Sequence, residues 1–408
     1  MNNRDIVLPT NLQLKYILGK PEYILNHKIF TPFNAKVLDF LVLLSQSILS
    51  DHKAKQYPDV ISFGYWCRKS NIKKIASNYP NSNNRVGVGV VFHIAPSNVP
   101  VNFAFSYVFS LLSGNVSIVR IPTKDYPQIE IISSIIFRIF ENPEFVDIRN
   151  NTYFIRYEHN ESITSQLSSI SNARILWGSD KTVDELKSIK SPSRSLDISF
   201  SERYSFAVID AQSIISANES ELKRIVDGFY NDTYLMDQNA CSSPQLVFWV
   251  SSQIELIEKA KSIFWNTINF KVKKEYDLAA KSSIDKLTQM CLDLSKRDDI
   301  KSVKTYSNYI YNLELNNIPL SILDLVGKFG YFYEYAISDL GQIVGIMDSK
   351  IQTLTYYGIE KSELYSVIYN SGKLGVDRIV PIGSALDIGI VWDGYDMIYS
   401  LTRVIDLK

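Results

Sequence analysis

The chain has 408 residues, a length that predicts two or three domains at about 150 residues each. Hydrophobic residues make up 46% of it and charged residues 21%, which excludes a disordered chain, a collagen and a disulfide scaffold. Its 43 basic residues balance its 43 acidic residues, so the composition provides no basic field for nucleic acid or for a membrane surface.

The N-terminal sequence MNNRDIVLPTNL lacks the basic start and apolar run of a secretory signal, and we expect no signal peptide. Three cysteines in a chain of this length do not make a disulfide framework and indicate a reducing compartment. A cytoplasmic location is therefore predicted. Residues 1–60 have mostly helical patterns and form a separate N-terminal segment.

Residues 86–119 contain no Asp, Glu, Lys or Arg, a run long enough to cross a membrane. We reject a membrane span because the breaks near Pro96 and at Gly114 would leave backbone groups without hydrogen bonds in lipid. The run instead predicts a buried strand over 86–94, a loop, a helix over 103–112 and a second strand over 116–121. This is a βαβ unit whose apolar strands are covered by helices on both faces of the sheet.

Strands and helices continue to alternate up to about residue 203, which predicts a parallel sheet with helices on both faces. The predicted strands and helices of this part are 126–140, 152–157, 163–170, 173–177, 181–189 and 196–201. A second α/β region is predicted from strands and helices at 204–210, 219–230, 245–250, 252–268 and 276–296. The expected domain boundaries divide the chain into 1–60, 61–203, 204–385 and 386–408.

Cys241 is the candidate nucleophile among the three cysteines. It lies in MDQNACSSPQ, a loop of small and polar residues between a predicted helix and the apolar strand QLVFWV. A thiol in such a loop can reach the end of a sheet where α/β ligand sites lie, and backbone N–H groups at the turn can receive an oxyanion. Cys67 and Cys291 are interpreted as packing or surface residues from their sequence context. A loop cysteine without a role is the alternative for Cys241.

Four segments together resemble the LuxC-type acyl-CoA reductases, which are the fatty-acid reductases of bacterial bioluminescence and their relatives in the aldehyde dehydrogenase superfamily. They are HIAPSNVPVNFAFSYVFSLLSGNVSIVRIP, Gly178-Ser179, DQNACSSPQ and GVDRIVPIGSALDIGIVWDGYDMIYSLTR. The resemblance covers roughly residues 60–408. It implies an aldehyde-dehydrogenase-like α/β fold with a Rossmann-type parallel-sheet cofactor domain at 61–203. It also implies an α/β catalytic domain at 204–385 and a short C-terminal oligomerisation segment at 386–408.

The resemblance implies that Cys241 attacks a thioester carbonyl and carries the acyl group. Asn98 stands where the superfamily has the Asn that holds the oxyanion with the backbone N–H of the nucleophile. A turn Asn between two prolines is the alternative for Asn98. Ser199 stands where oxidising aldehyde dehydrogenases have the Glu that activates hydrolytic water. Loss of that base favours reduction of the acyl-enzyme over its hydrolysis.

Arg120 stands where the superfamily has a Lys that contacts the adenosine ribose or its 2′-phosphate. Because Arg binds phosphate bidentately, we expect NADPH (NADP) rather than NADH as the cofactor. Gly178 and Ser179 at a helix start resemble the superfamily's pyrophosphate contact, and Glu334 resembles the Glu that orients the nicotinamide ribose. The alternatives are a surface salt bridge for Arg120, a helix N-cap for Ser179 and an ordinary half-exposed strand position for Glu334. His93 is interpreted as a buried strand-end histidine, and no metal site is predicted.

The activity implied by the resemblance is NADPH-dependent reduction of a long-chain fatty acyl-CoA or acyl-protein thioester to a fatty aldehyde. An acyl-protein synthetase partner and a homo-oligomer formed through the C-terminal strand are implied as well. A cofactor-independent acyltransferase or thioesterase that uses the same Cys, and a non-catalytic scaffold on this fold, are the alternatives. Arg120, Gly178 and Ser179 separate the first function from the second, and the presence of Cys241 and Asn98 disfavours the scaffold.

Overall fold

The computed structural model describes residues 13–20, 27–80, 82, 84–96, 99–406 and 408. The α-helices of this part are α1 (Ala35–Ser50), α2 (Pro58–Trp66), α3 (Lys69–Ser77), α4 (Asn102–Leu112), α5 (Pro127–Ile139), α6 (Val146–Asn150), α7 (Glu161–Ser169), α8 (Asp180–Ser188), α9 (Ala211–Ser216), α10 (Glu219–Thr233), α11 (Ile254–Glu275), α12 (Ala280–Lys296), α13 (Lys361–Asn370) and α14 (Met397–Ser400). Short 3₁₀ segments occur at Ala54–Gln56, Pro143–Phe145, Tyr234–Met236 and Leu340–Ile346.

The β-strands of the same residues are β1 (Lys15–Leu18), β2 (Arg85–Gly87), β3 (Val90–Ile94), β4 (Val116–Arg120), β5 (Thr152–Arg156), β6 (Ala173–Trp177), β7 (Leu196–Phe200), β8 (Tyr204–Asp210), β9 (Leu246–Val250), β10 (Ile300–Tyr306), β11 (Ile310–Leu315), β12 (Tyr331–Ile337), β13 (Ile351–Tyr357), β14 (Arg378–Pro381), β15 (Val391–Trp392), β16 (Tyr395–Asp396) and β17 (Thr402–Val404). Contacts group the chain into two compact units. The first unit is residues 1–201 with 390–408, and the second unit is residues 202–389. The domain division expected from the sequence stays a prediction.

The first unit is built on a sheet of order β1-β5-β4-β3-β6-β7. All its neighbouring strands are parallel except β1, which is antiparallel to β5. Every residue of β3 and of α4 is buried, and β3 is parallel to β4, so these parts of the uncharged run form the predicted βαβ unit in the core. In the described part of the chain, no helix has the length and apolar character needed to span a lipid bilayer.

The strand predicted over 86–94 is two strands, β2 and β3, and the prediction of one strand is wrong. Gly89 separates them at a φ of +131°, a conformation that residues with a side chain rarely adopt. Its N–H donates to Asn115 Oδ1, and the next N–H, of Val90, donates to Asn172 Oδ1. A Cβ on Gly89 would lie 2.1 Å from that Asn172 oxygen. The break releases β2 to pair with β17.

The second unit is built on a sheet of order β10-β11-β12-β9-β8-β13-β14 among the described residues. Neighbouring strands are parallel except β10, which is antiparallel to β11. Alternate residues of β8 and β9 face two different hydrophobic clusters, with Phe206 and Phe248 in one cluster and Ala207 and Trp249 in the other. Both units therefore confirm the predicted α/β class, although no strand was predicted from the sequence at β10, β11, β13 or β14.

Candidate active site

Cys241 is exposed and lies in the loop that leads into β9. Its main-chain carbonyl accepts a hydrogen bond of 2.7 Å from Ser205 Oγ, and the N–H of Thr353 donates to the same hydroxyl at 3.1 Å. Ser205 and Thr353 lie near the starts of the parallel strands β8 and β13. The nucleophile candidate therefore lies at the amino ends of the strands. It lies at an end of the sheet, as expected. This end is opposite to the carboxyl ends at which α/β ligand sites usually lie, because the loop precedes β9 instead of following a strand.

The loop turns sharply around Cys241. The N–H of Ser243 donates to the carbonyl of Ala240 at 2.9 Å, which closes a turn that contains the cysteine. The hydroxyl of Ser243 donates to the carbonyl of Asp232 in α10 at 2.7 Å. These contacts fix the backbone of the loop, and Cys241 itself is an exposed residue. Neither partner has a local signal in the sequence, because Ser205 is 36 residues away from Cys241 in the chain and Asp232 lies within the preceding helix α10.

Arg120 is the last residue of β4. Its guanidinium lies 4.6 Å from the ring centroid of Tyr157 and donates to the carbonyl of that residue at 3.2 Å. A cation over an aromatic face is held in a defined direction. The structure thus orients Arg120 by stacking at the strand end. Its contact with a cofactor phosphate stays a prediction.

Gly178 and Ser179 lie between β6 and α8, as the sequence predicted. Ser179 is the N-cap of α8, and its Oγ accepts a hydrogen bond of 3.3 Å from the N–H of Thr182. The N–H of Gly178 donates to the carbonyl of Phe200 at 3.2 Å. The N-cap alternative for Ser179 is therefore confirmed, and the pyrophosphate contact of both residues stays a prediction.

Three buried N–H groups lie at the carboxyl edge of the first unit's sheet without an acceptor among the described residues. They are Arg120 Nε, Arg156 Nε and Trp177 Nε1, and each belongs to the last residue of its strand. The strands concerned, β4, β5 and β6, are parallel members of this sheet. Nucleotides bind at the carboxyl ends of such strands, and their oxygens are hydrogen-bond acceptors. The edge thus fits an acceptor-rich nucleotide cofactor.

His93 lies one residue before the end of β3 and is fully buried, which confirms the prediction. Its Nδ1 lies 2.8 Å from Ser106 Oγ in α4. Burial lowers the pKa of His93 to about 3, so the ring is neutral at physiological pH. A neutral ring beside a hydroxyl packs in the core and does not act as a proton carrier at the strand end.

Glu334 lies in β12 and is only 4% exposed, so the half-exposed alternative is wrong. Its Oε1 accepts hydrogen bonds of 2.7 Å from both indole nitrogens of Trp249 and Trp265. Burial raises the pKa of Glu334, and the charge of Lys261 opposes that rise. The carboxyl group is thus part of a hydrogen-bonded core cluster. Its contact with the nicotinamide ribose stays a prediction.

Asn98 and the two other cysteines, Cys67 and Cys291, complete the residues that the sequence singled out. Asn98 lies outside the described residues, and its oxyanion role stays a prediction. Cys67 is fully buried, and burial raises the pKa of its thiol well above the ordinary value. Cys291 is exposed on α12. The interpretation of Cys67 as a packing residue and of Cys291 as a surface residue is confirmed.

Two curated proteins are similar to this chain along most of its length. The long-chain acyl-protein thioester reductase 2 of Photobacterium leiognathi is 21% identical over 329 residues, which are 78% of this chain and 63% of that protein. The long-chain acyl-protein thioester reductase of Vibrio harveyi is 23% identical over 310 residues, which are 72% of this chain and 58% of that protein. The chain thus spans less than two thirds of the length of these relatives.

Solved structures of aldehyde dehydrogenases have the same fold. An NAD-dependent benzaldehyde dehydrogenase from Corynebacterium glutamicum matches with a TM-score of 0.60 and 12% identity, covering 97% of this chain and 93% of that one. A lactaldehyde dehydrogenase matches with a TM-score of 0.58 and 14% identity, covering 92% of this chain and 84% of that one. The predicted aldehyde-dehydrogenase-like fold is confirmed.

A protein-family model matches most of the chain. The model of the acyl-CoA reductase (LuxC) family matches residues 68–405, which include Cys241, Asn98, Arg120, Gly178, Ser179 and Glu334. Since this match covers far more than half of the chain, the protein belongs to the acyl-CoA reductase (LuxC) family.

Proposed function

We propose that this protein reduces a long-chain fatty acyl thioester to a fatty aldehyde with NADPH, through an acyl-enzyme on Cys241. The observation that carries the proposal is the exposed thiol of Cys241 in a loop fixed by Ser205 and Ser243, in a chain of the acyl-CoA reductase (LuxC) family. The two bacterial relatives are acyl-protein thioester reductases, which supports a protein-bound acyl donor beside acyl-CoA. A synthetase that delivers the acyl group and a homo-oligomer belong to the same proposal.

The chemistry begins with the thiolate of Cys241. Its sulfur forms a bond to the acyl carbonyl carbon, and the bond from that carbon to the sulfur of the donor breaks. The donor leaves as a thiolate and takes up a proton. Asn98 and the N–H of Cys241 stabilise the oxygen that becomes negative during the attack. Reduction gives a hemithioacetal, whose C–S bond breaks to release the aldehyde and restore the thiolate.

The cofactor belongs at the carboxyl edge of the first unit's sheet. Bound NADPH supplies the hydride that converts the acyl group to the aldehyde level. Arg120 is proposed to hold the 2′-phosphate, and Gly178 and Ser179 the pyrophosphate. A contact of Glu334, which is buried in the core of the second unit, with the nicotinamide ribose stays a prediction. The buried N–H groups at the ends of β4, β5 and β6 support this edge as the nucleotide site, because each offers a donor with no acceptor among the described residues.

The test is a labelling experiment. Purified protein is incubated with radiolabelled tetradecanoyl-CoA, and protein-bound label is measured before and after NADPH is added. We expect label on the wild-type protein, its discharge by NADPH as tetradecanal, and no label on Cys241→Ala. Cys291→Ala serves as the matched control, because Cys291 is exposed like Cys241. This variant keeps Cys241 and should label like the wild type.

The same experiment separates the alternatives. Label that water or a second thiol removes without NADPH indicates a thioesterase or acyltransferase. Absence of label from the wild-type protein with both acyl-CoA and acyl-protein donors indicates a scaffold. Label that persists undiminished in Cys241→Ala shows that the nucleophile is a different residue.

A further inference from the structure

Two side-chain hydrogen bonds close the base of the loop that carries Cys241. Gln238 Nε2 donates to the carbonyl of Pro244 at 3.0 Å, and Gln245 Nε2 donates to the carbonyl of Gln238 at 3.1 Å. Cys241 lies midway in sequence between Gln238 and Pro244. The amide of Gln238 therefore joins the two ends of the segment that carries the thiol.

Gln238 also ties this loop to the start of β12. Its Oε1 accepts hydrogen bonds from the N–H groups of Gly330 and Tyr331 at 3.2 and 3.1 Å, and its Nε2 donates to the carbonyl of Tyr331 at 2.9 Å. A glutamine amide has two donors and two acceptor positions, so all are used here. The side chain is 2% exposed. A buried amide whose donors and acceptors are all hydrogen-bonded has one stable orientation. The loop segment that is bonded to this amide is therefore fixed as well.

The backbone of the loop is strained at the same place. Asp237 and Gln238 have φ angles of 52° and 60°, in the left-handed region that is unfavourable for residues other than glycine. Such conformations persist where the surrounding structure holds them. Here the carbonyl of Asp237 accepts from the N–H of Phe329 at 3.2 Å, and the N–H of Gln238 donates to the carbonyl of Thr233 at 2.7 Å.

The segment that receives Gln238 is itself fixed from α12. Lys286 is 2% exposed, and its Nζ donates to the carbonyls of Asn308 and Phe329 at 2.5 and 2.7 Å. The support thus runs from α12 through Phe329 and the start of β12 to Gln238, and from Gln238 to both ends of the nucleophile loop.

We propose that Gln238 is a positioning residue that sets the place of the Cys241 thiol for attack on the acyl carbonyl, an inference that rests on the proposed function. Gln238 acts through the loop and does not touch the acyl group. Displacement of an attacking atom by about 1 Å can slow a reaction about 100-fold. Loss of the amide should therefore lower the rate of acyl transfer at saturating thioester and leave the KM for the thioester nearly unchanged.

The experiment uses Gln238→Leu and Gln238→Glu, each in the full chain with Cys291→Ser. The Glu variant keeps the acceptor for Gly330 and Tyr331 but loses both Nε2 donors. Acylation by labelled tetradecanoyl-CoA and alkylation of Cys241 by iodoacetamide are measured from about pH 6 to 9, across the ordinary range of a thiol. We expect acylation by the Leu variant to be about 10- to 100-fold slower, the Glu variant to be intermediate, and the pH profile of alkylation to shift in both.

Asn115→Leu is the matched control. Asn115 is a buried amide in the first unit that makes three hydrogen bonds, to Gly89, Ser110 and Leu401. Its loss should lower the thermal midpoint of unfolding while the reactivity of Cys241 in the folded protein stays unchanged. This variant separates general destabilisation from positioning of the thiol.

The following outcomes test the positioning role of Gln238. Wild-type acylation and alkylation in folded Gln238→Leu, or in Gln238→Glu where the Leu variant does not fold, overturn the positioning role. If acylation is slowed equally in Asn115→Leu, the positioning role of Gln238 is overturned as well. If the wild-type protein takes up no acyl label but alkylation is slowed in the Gln238 variants alone, the proposed function fails and the positioning role stands.

Discussion

Asp232 and Gly383 are joined by a hydrogen bond of 2.6 Å from the N–H of Gly383 to the carboxylate of Asp232. A second N–H, of Ala385, donates to the same carboxylate at 2.9 Å. Gly228, one turn earlier in α10, leaves room for this approach, because a Cβ there would lie 2.9 Å from the Cα of Gly383. Since Ser243 donates to the main-chain carbonyl of Asp232, one residue connects the PIGSALD segment with the nucleophile loop.

Asp232 should make stability depend on pH in a defined direction. Burial raises its pKa from 3.8 to about 6, so the folded chain holds this proton more tightly than the unfolded chain. The resulting stabilisation is present below pH 3.8 and is lost as the pH rises through about 6. We expect the free energy of unfolding of the wild type, relative to Asp232→Asn, to fall by about 3 kcal/mol across that window. Urea unfolding of both proteins at several pH values measures this difference. Asp387 and Arg378 act on Asp232 and are present in both, and a difference that does not vary with pH would contradict the assignment.

Glu334 should contribute to stability mainly as an acceptor for two indoles. Glu334→Leu leaves the N–H of Trp249 buried without this acceptor, at about 1–3 kcal/mol, and the N–H of Trp265 with only the amide oxygen of Asn312 at 3.0 Å. Glu334→Gln keeps an acceptor oxygen, so its loss of stability should be clearly smaller. Urea unfolding at neutral pH compares the two variants, and equal losses would show that the hydrogen bonds to the indoles contribute little.

Arg120 should discriminate between the two nicotinamide cofactors. A charge-assisted hydrogen bond to phosphate is worth about 1.5–3 kcal/mol, so Arg120→Ala should raise the KM for NADPH about 10- to 100-fold. The KM for NADH, which lacks the 2′-phosphate, should change much less. Steady-state kinetics with each cofactor measure the change in the KM for NADPH and in the KM for NADH. Arg138→Ala is the control, because Arg138 is a surface arginine paired with Asp51. If Arg120→Ala changes the KM for NADPH and the KM for NADH equally, the phosphate contact is rejected.

Asn98 should act on the acylation step. Removal of one oxyanion donor typically slows a reaction about 10²- to 10³-fold, and Asn98→Ala should slow acylation of Cys241 by that factor. Alkylation of the thiol by iodoacetamide, which forms no oxyanion, should keep its wild-type rate. Rapid-quench measurement of protein-bound label gives the acylation rate, and a wild-type value would assign Asn98 to the turn alone.

Arg174 should be the arginine with the largest effect on stability in the first unit's sheet. It is 2% exposed, binds Asp197 through two hydrogen bonds of 2.7 and 2.6 Å, and contacts Ser168 and two carbonyls as well. Arg174→Met leaves the Asp197 charge without its partner and should cost about 3–5 kcal/mol. Arg138→Met removes an exposed ion pair and should cost less than about 1 kcal/mol. Chemical denaturation of both variants measures the contrast, and similar costs would contradict it.

Local sequence patterns were sufficient for the βαβ unit of the first half, whereas Cys241 became the candidate nucleophile through its loop and the family resemblance together. The uncharged run predicted a buried strand, helix and strand because burial on both faces removes polar residues from such elements. Cys241 was recognisable from its small, polar loop before an apolar strand. The break at Gly89 was not, because the side chains that require it, Asn115 and Asn172, are distant in the chain. Strand β10 was missed because most of its residues are exposed and carry no apolar alternation.

The sequence by itself determined the α/β class and the family, since these depend on periodicity and on residue types at short spacing. It also indicated Cys241 as the candidate nucleophile, which stays a prediction. The tertiary structure decided what holds that thiol. Ser205 of β8 donates to the carbonyl of Cys241, Ser243 of the loop donates to the carbonyl of Asp232 in α10, and Gln238 of the loop donates to the carbonyl of Tyr331 in β12. Only folding brings these groups within bonding distance. It also decided that Glu334 is buried between two indoles, because burial is a property of the packed core and a single strand segment does not reveal it.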